Sequence, residues 1–339
     1  MRLDYNILCI DDEIETLAES KRVLKDHNLE VGIQTNFRDI SVKPSARETE
    51  PVAYKARIFA EIEAAFKGVA FELIMVDLHL GQIDDPMGFK GHEIIQYIRE
   101  TQTMYRPIVF YSSGDPKSDE LAVSQLEQDI KDSALVGKSI FLSARGKTLD
   151  KHLSGICTEM HDEEHKLNST RGLLMDRTSE LDAKVLTYLR QADSWNGLSD
   201  EDSSKVFKVI AKELLRKGAR ARANSCELSK LGRGSFEEFK EWIVKPDAFA
   251  VILTLDSFVR NKILRELLRV LPGAEGAGKT HSGYFMNGEG QDSISKIRND
   301  YAHQTEAEIG QAHSIERCKF IRNELRKHLE NVDAVTSVK

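Results

Sequence analysis

Hydrophobic positions along the chain follow two different patterns, and the change comes near residue 147. In the first part, short and nearly continuous apolar runs recur: Ile7 to Ile10 before Asp11 and Asp12, Phe71 to Val76 before Asp77, and Pro107 to Tyr111 before Ser112 and Ser113. Runs of this length between polar stretches read as strands buried on both faces of a parallel sheet. Glu72 is the polar exception in the second run. Helical patterns separate the strands over Asp12 to His27, Val52 to Phe66 and Gly88 to Arg99. Leu29 to Asn36 reads as a further strand, and the polar stretch Arg38 to Pro51, with its two prolines, as an extended loop. Asp115 to Lys131 predicts a fourth helix, Ala134 to Ala144 a fifth strand, and Leu149 onward a fifth helix.

Beyond that point the strand pattern stops. Lys147 to Gln191 has no proline, only Gly155 and Gly172, and a helical spacing of Leu149, Leu153, Ile156 and Met160. The spacing predicts one long helix, broken near Gly172, that leaves the first domain and enters the second. Ser203 to Lys217, Ser235 to Val244, Ala248 to Leu271, Asp292 to Ala302 and His313 to Val332 follow as helices of an all-α bundle. The division expected is therefore 1–147 and 148–339.

Composition narrows the class. With 339 residues, 40% hydrophobic and 30% charged, the chain has the make-up of a soluble protein with room for two cores. Its longest apolar runs, such as Phe249 to Leu253, are too short to span a bilayer, and the beginning of the chain does not read as a signal peptide. A cytoplasmic protein with no membrane partner is the expectation. Cys9, Cys157, Cys226 and Cys318 form no Cys-x-x-Cys pair, which points to reduced thiols rather than a zinc ribbon or disulfide framework. The net charge of −7 is uneven: up to Asp150 there are 18 Lys and Arg against 26 Asp and Glu, and afterwards 30 against 29. The first part is thus a poor nucleic-acid surface, whereas the second gathers basic residues between Lys205 and Lys230, on what reads as a solvated helix face.

The candidate chemistry of the first part lies at strand ends. A carboxylate at the carboxyl end of a buried strand sits on the edge where open α/β sheets place ligands, although an acid there can also cap the next helix. Asp11, Asp12 and Asp77 converging on that edge would repel one another unless a hard cation such as Mg²⁺ lay between them. Ser112 and Ser113 could hold a phosphoryl oxygen. Together these residues resemble the receiver domain of two-component response regulators, over residues 4 to about 147. The resemblance implies an α/β doubly wound five-stranded parallel sheet, with Asp77 as phospho-acceptor and Asp11, Asp12 and Asp77 as Mg²⁺ ligands. It further implies that the Ser112 hydroxyl follows the phosphate and that a sensor histidine kinase is the partner. One position departs from the pattern: Ala144 stands where receivers carry a lysine, so Arg145 or Lys147 substitutes, with Arg145 the expected phosphate contact. A guanidinium fork is not equivalent to an ammonium there.

In the second part, Gly273 to Thr280 fits the letters of a Walker A phosphate loop. It is preceded by a helical pattern rather than a strand, and it reads as a flexible loop. His161-Asp-Glu-Glu-His165 lacks the Glu that zinc proteases place after the first His, and reads as a solvated helix surface. Ile297-Arg-Asn-Asp-Tyr-Ala-His303 resembles the Arg-x4–6-His motif of HEPN domains, helical bundles that include metal-independent endoribonucleases acting in stress response and phage defence. That resemblance implies catalysis by Arg298 and His303 with Asn299 and Asp300, RNA as substrate, no cofactor in this domain, and a homodimer that completes the site. Arg322 to His328 fits the same letters but reads as an ordinary charged C-terminal helix. The expected function is a response regulator whose receiver controls RNA cleavage; the alternative is a helical output that only binds protein.

Overall fold

The structure, a computed structural model, describes residues 2–43, 50–80, 89–102, 106–112, 140–195, 198–218, 229–245, 256–271, 273–285, 293–310 and 312–337. It divides into two compact units, Arg2–His165 and Lys166–Lys339.

The first unit runs β1 (Asp4–Asp11), a 3₁₀ turn (Ile14–Leu17), α1 (Ala18–Glu30), β2 (Gln34–Ser41), α2 (Pro51–Phe66) and β3 (Leu73–Asp77). A small antiparallel pair follows, β4 (His79–Leu80) and β5 (Phe89–Lys90), then α3 (Gly91–Gln102), β6 (Ile108–Ser112), β7 (Ile140–Ala144) and α4 (Lys147–Glu164). Five strands form one all-parallel sheet in the order β2-β1-β3-β6-β7, compatible with a flavodoxin-like α/β arrangement.

Two-residue alternation within the apolar runs explains why the sheet is covered twice. Leu8, Ile10, Ile74, Val76, Ile108 and Phe110 point to one face, where Ile58 and Ile62 of α2 and Ile94 and Ile98 of α3 pack on them. Ile7, Cys9, Leu73, Met75, Val109 and Tyr111 point to the other, against Leu24 of α1 and Leu149, Leu153 and Ile156 of α4. Glu72 fits this core because its charge is met: Arg2 pairs with it, and the Asn6 N–H donates to its Oε2 at 2.7 Å.

Two expectations for this unit need correction. Arg38 to Ser41 is strand, not loop, since β2 pairs with β1 as far as Asp11↔Ser41. Its polarity reflects a sheet edge with mostly exposed side chains. The helix from Lys147 breaks at His165–Lys166, where the backbone turns extended, and Gly172 lies inside the next helix. A single glycine costs a helix about 1 kcal/mol, too little to end one held by packing. α4 packs against the sheet, and the first compact unit runs to His165. The predicted helix Asp115–Lys131 and the first residues of the fifth strand lie outside the described residues.

The second unit contains α5 (Leu167–Leu189), a 3₁₀ turn (Ala192–Trp195), α6 (Asp200–Gly218), α7 (Phe236–Ile243), α8 (Ser257–Val270) and α9 (Glu275–Ser282). It ends with α10 (Ile294–His303), α11 (Glu306–Gly310) and α12 (Ile315–Ser337). Among its described residues every element is helical. Local chemistry sets several starts: Ser235 and Glu238 form a capping box on α7, and Asp256 and Ser293 cap α8 and α10. The Gly273–Thr280 stretch is not the expected loop, because most of it forms α9. Gly273 supplies the left-handed turn after α8 (φ 76°). Gly278 lets α9 approach α8, where an added Cβ would lie 3.0 Å from the Arg269 nitrogen. The glycines thus build a close helix hairpin, and the strand–loop–helix setting of a phosphate loop is missing here.

Candidate functional site

Register brings the acids together. β1 and β3 are neighbours, Ile10 pairing with Val76, so their final residues Asp11 and Asp77 end side by side at the carboxyl edge. The alternation that buries Cys9 and Met75 on the α1/α4 face continues to Asp11 and Asp77, and that of Val109 continues to Tyr111. Asp11 is 0% exposed and Asp77 2%. One carboxylate oxygen from each of Asp11, Asp12 and Asp77 lies within 4.8 Å of the others. At such spacing two bare carboxylates repel by about 3–4 kcal/mol at an effective dielectric of about 20, so the cluster needs positive charge.

Arg145 supplies it from the end of β7. Its Nη2 donates to Asp11 Oδ2 at 2.8 Å and to Asp77 Oδ2 at 3.0 Å, while Nη1 donates to Thr16 Oγ1 at 2.6 Å. The guanidinium lies over the Tyr111 ring, 5.3 Å from its centre. The Tyr111 hydroxyl donates to the same Asp11 Oδ2 at 2.6 Å, and the Glu13 N–H donates to Asp11 Oδ1 at 2.5 Å. Burial first, then the Asp11 charge and this hydrogen bond, push the Tyr111 hydroxyl well above its ordinary pKa and hold it as a donor. Gly91 lies tight against the backbone at the end of β3, since any Cβ there would overlap the carbonyl oxygen of Asp77.

Of the two basic residues expected near the acids, Arg145 turns to them, whereas Lys147 is exposed at the start of α4. Ser112 ends β6, but its side chain lies outside the described residues, so the phosphate contact expected of it does too. Three hard oxygen donors on one edge fit a divalent cation such as Mg²⁺ by donor type. Sequence reasoning missed Tyr111, Thr16 and Gly91. The signal for Tyr111 was present, because it follows Val109 by two on a strand beside Asp77.

In the helical unit, α10 buries Ile294, Ile297 and Tyr301 on one stripe. Arg298 lies half-buried beside that stripe, Asn299 is exposed, and Asp300 accepts from Lys296 Nζ at 3.1 Å. His303 is the exposed last residue of the helix. Among the described residues no hydrogen bond or ion pair joins Arg298 to His303. Arg171 of α5 grips the end of α10, its Nε donating to the Tyr301 carbonyl at 3.0 Å and its Nη2 to that of Gln304 at 2.7 Å. The Tyr301 hydroxyl meets His313 Nδ1 at 3.0 Å.

The second copy of the motif is not on a surface. Arg322 and His328 of α12 are both 0% exposed, which corrects the reading of 322–328 as an ordinary charged helix. His328 packs edge-on against His281, their ring centres 6.4 Å apart, and against Tyr284 at 5.5 Å. Burial pushes His281 down to about 4, helped by the Arg265 charge; burial, then His281 and Lys327, push His328 down to about 3. His161 also leaves the expected solvated surface: it is buried and meets Asn28 Oδ1 at 2.7 Å. Asp11, Asp12 and Asp77 form the one cluster of potential metal ligands among the described residues. Comparison of the chain with protein-family models and with curated proteins gives no match.

Proposed function

We propose that the chain works as a response regulator in which phosphorylation of Asp77 controls a HEPN-like, metal-independent endoribonuclease in the helical unit. The observation that carries this reading is the meeting of Asp11, Asp12 and Asp77 at the ends of adjacent parallel strands, with Arg145 bonded to two of them. An Asp77 carboxylate oxygen attacks the phosphorus of a phosphohistidine or of acetyl phosphate. The new P–O bond forms as the bond to the leaving group breaks, and the leaving group keeps its electron pair. Asp11, Asp12 and Asp77 would hold Mg²⁺, which would supply the positive charge that lets a phosphoryl group approach these carboxylates. Arg145 pairs with the phosphoryl oxygens once they replace the Asp77 charge.

In the helical unit, exposed His303 exchanges protons with the ribose 2′-hydroxyl or the leaving 5′-oxygen, and Arg298 offsets charge on the phosphate. A second copy of the chain brings the partner groups that one α10 lacks. The binding-module alternative draws on one observation, that Arg298 and His303 are not bonded to each other within one chain.

Acetyl phosphate with Mg²⁺ should add one acid-stable, base-labile phosphoryl group to the full chain, and Asp77→Asn should abolish it. Cleavage of a panel of structured and single-stranded RNAs, with phosphorylated and unphosphorylated protein, should survive EDTA and leave 2′,3′-cyclic phosphate ends. His303→Ala should slow it by about 10²–10⁴-fold. If neither form cuts any RNA, or if His303→Ala cuts at the wild-type rate, the nuclease assignment fails and the binding module replaces it.

A further inference from the structure

Asp11 is already nearly saturated by the protein. A carboxylate offers about four lone-pair positions. On Asp11 three are in use: Oδ1 accepts from the Glu13 N–H, and Oδ2 accepts both the Tyr111 hydroxyl and Arg145 Nη2. The same Nη2 reaches Asp77 Oδ2 at 3.0 Å, so one nitrogen bridges two acids as a bridging cation would. A Mg²⁺ ion sits about 2.0–2.1 Å from each of its oxygens and demands near-octahedral geometry. It cannot take Asp11 Oδ2 while both donors remain, and at the one position left on Oδ1 its charge would still meet the guanidinium only a few ångströms away and repel it.

Arg145 is also built to stay. Thr16 accepts from its second nitrogen, the Tyr111 ring lies beneath it, and its side chain is only 15% exposed. Removing this cation without replacement would leave two buried carboxylates facing each other with no counter-charge between them.

We infer that Arg145 and a divalent cation are alternative occupants of the acid cluster: the guanidinium is an internal counter-ion that must leave Asp11 before metal binds. The inference rests on the acceptor reading of Asp77 only for the choice of Mg²⁺ as the metal. Its consequence is a two-state site. With Arg145 in place the unit is folded and the acid charge partly offset without metal, and metal entry releases the guanidinium from Asp11, Asp77 and the Thr16 turn together.

The test is a Mg²⁺ titration of the full chain by calorimetry, without any phosphoryl donor. Arg145→Met keeps an unbranched stem and removes the charge, and should bind Mg²⁺ at least tenfold more tightly than wild type, with a melting temperature that now depends strongly on Mg²⁺. Tyr111→Phe removes one donor to Asp11 and should tighten binding by a smaller factor. Equal or weaker Mg²⁺ binding by Arg145→Met, or no binding by wild type and both variants, overturns the inference. Should Arg145→Met fail to fold even with Mg²⁺, the wild type decides alone. In its nitrogen-15 NMR spectrum, the slowly rotating, protected guanidinium of Arg145 should become freely rotating at saturating Mg²⁺, and a guanidinium unchanged by bound metal overturns the inference. Metal exchange without labelling of Asp77 by acetyl phosphate would sink the acceptor reading and leave the exchange standing.

Discussion

Acidification should unfold the helical unit well before ordinary carboxylate chemistry does, because His281 and His328 are buried as neutral rings. Their pKa values lie near 4 and 3 in the folded chain, against about 6.5 for an exposed imidazole. The unfolded chain therefore binds more protons below pH 6.5. The stability these groups provide is complete above that pH and is lost as pH falls toward the folded values. At pH 5 each histidine costs about 2 kcal/mol relative to pH 8, or about 4 kcal/mol together. That is a large share of the 5–15 kcal/mol that typically holds a domain. Glu324 Oε2, 3.6 Å from His328 Nε2, is the nearest counter-charge on α12, while Lys327 and Arg265 oppose protonation. The chain's two tryptophans, Trp195 and Trp242, both lie in the helical unit and are both buried, so their fluorescence reports on that unit. Urea unfolding followed by tryptophan emission should show a midpoint that drops sharply between pH 7 and pH 5. The double variant His281→Phe, His328→Phe should lose most of that drop. An unchanged midpoint in wild type, or an undiminished drop in the double variant, would refute the reasoning.

Two further outcomes follow from single contacts. Gly91→Ala places a methyl group against the Asp77 carbonyl and should cost the sheet unit about 1–3 kcal/mol, read as a lower melting temperature and weaker Mg²⁺ binding. Arg171→Met removes two charged hydrogen bonds to the end of α10, and should cost about 1–3 kcal/mol and speed amide exchange at the last turn before Gln304; unchanged exchange would show that other contacts hold that end.

The sheet was legible where periodicity and position are local properties. The run Leu73–Val76 is buried on both faces, and a strand of that pattern followed by an acid puts Asp77 at the carboxyl edge whatever surrounds it. The same logic found Asp11 and the helices capped by Ser235 and Ser293. It failed at Arg38–Ser41, where an edge strand needs little apolar surface, and at α9, where packing against α8 overrides the poor helix propensity of glycine.

Tertiary structure alone decided which groups face one another. Arg145 lies 134 residues from Asp11 and Tyr111 lies 100 away, so their bonds depend on strand order and register, which no local pattern encodes. Arg298–His303 and Arg322–His328 carry nearly the same letters, yet one histidine ends a helix in solvent and the other is fully buried against His281. A sequence motif specifies spacing along a helix, but burial is set by what packs on that helix, and here that contact comes from α9, far away in the chain.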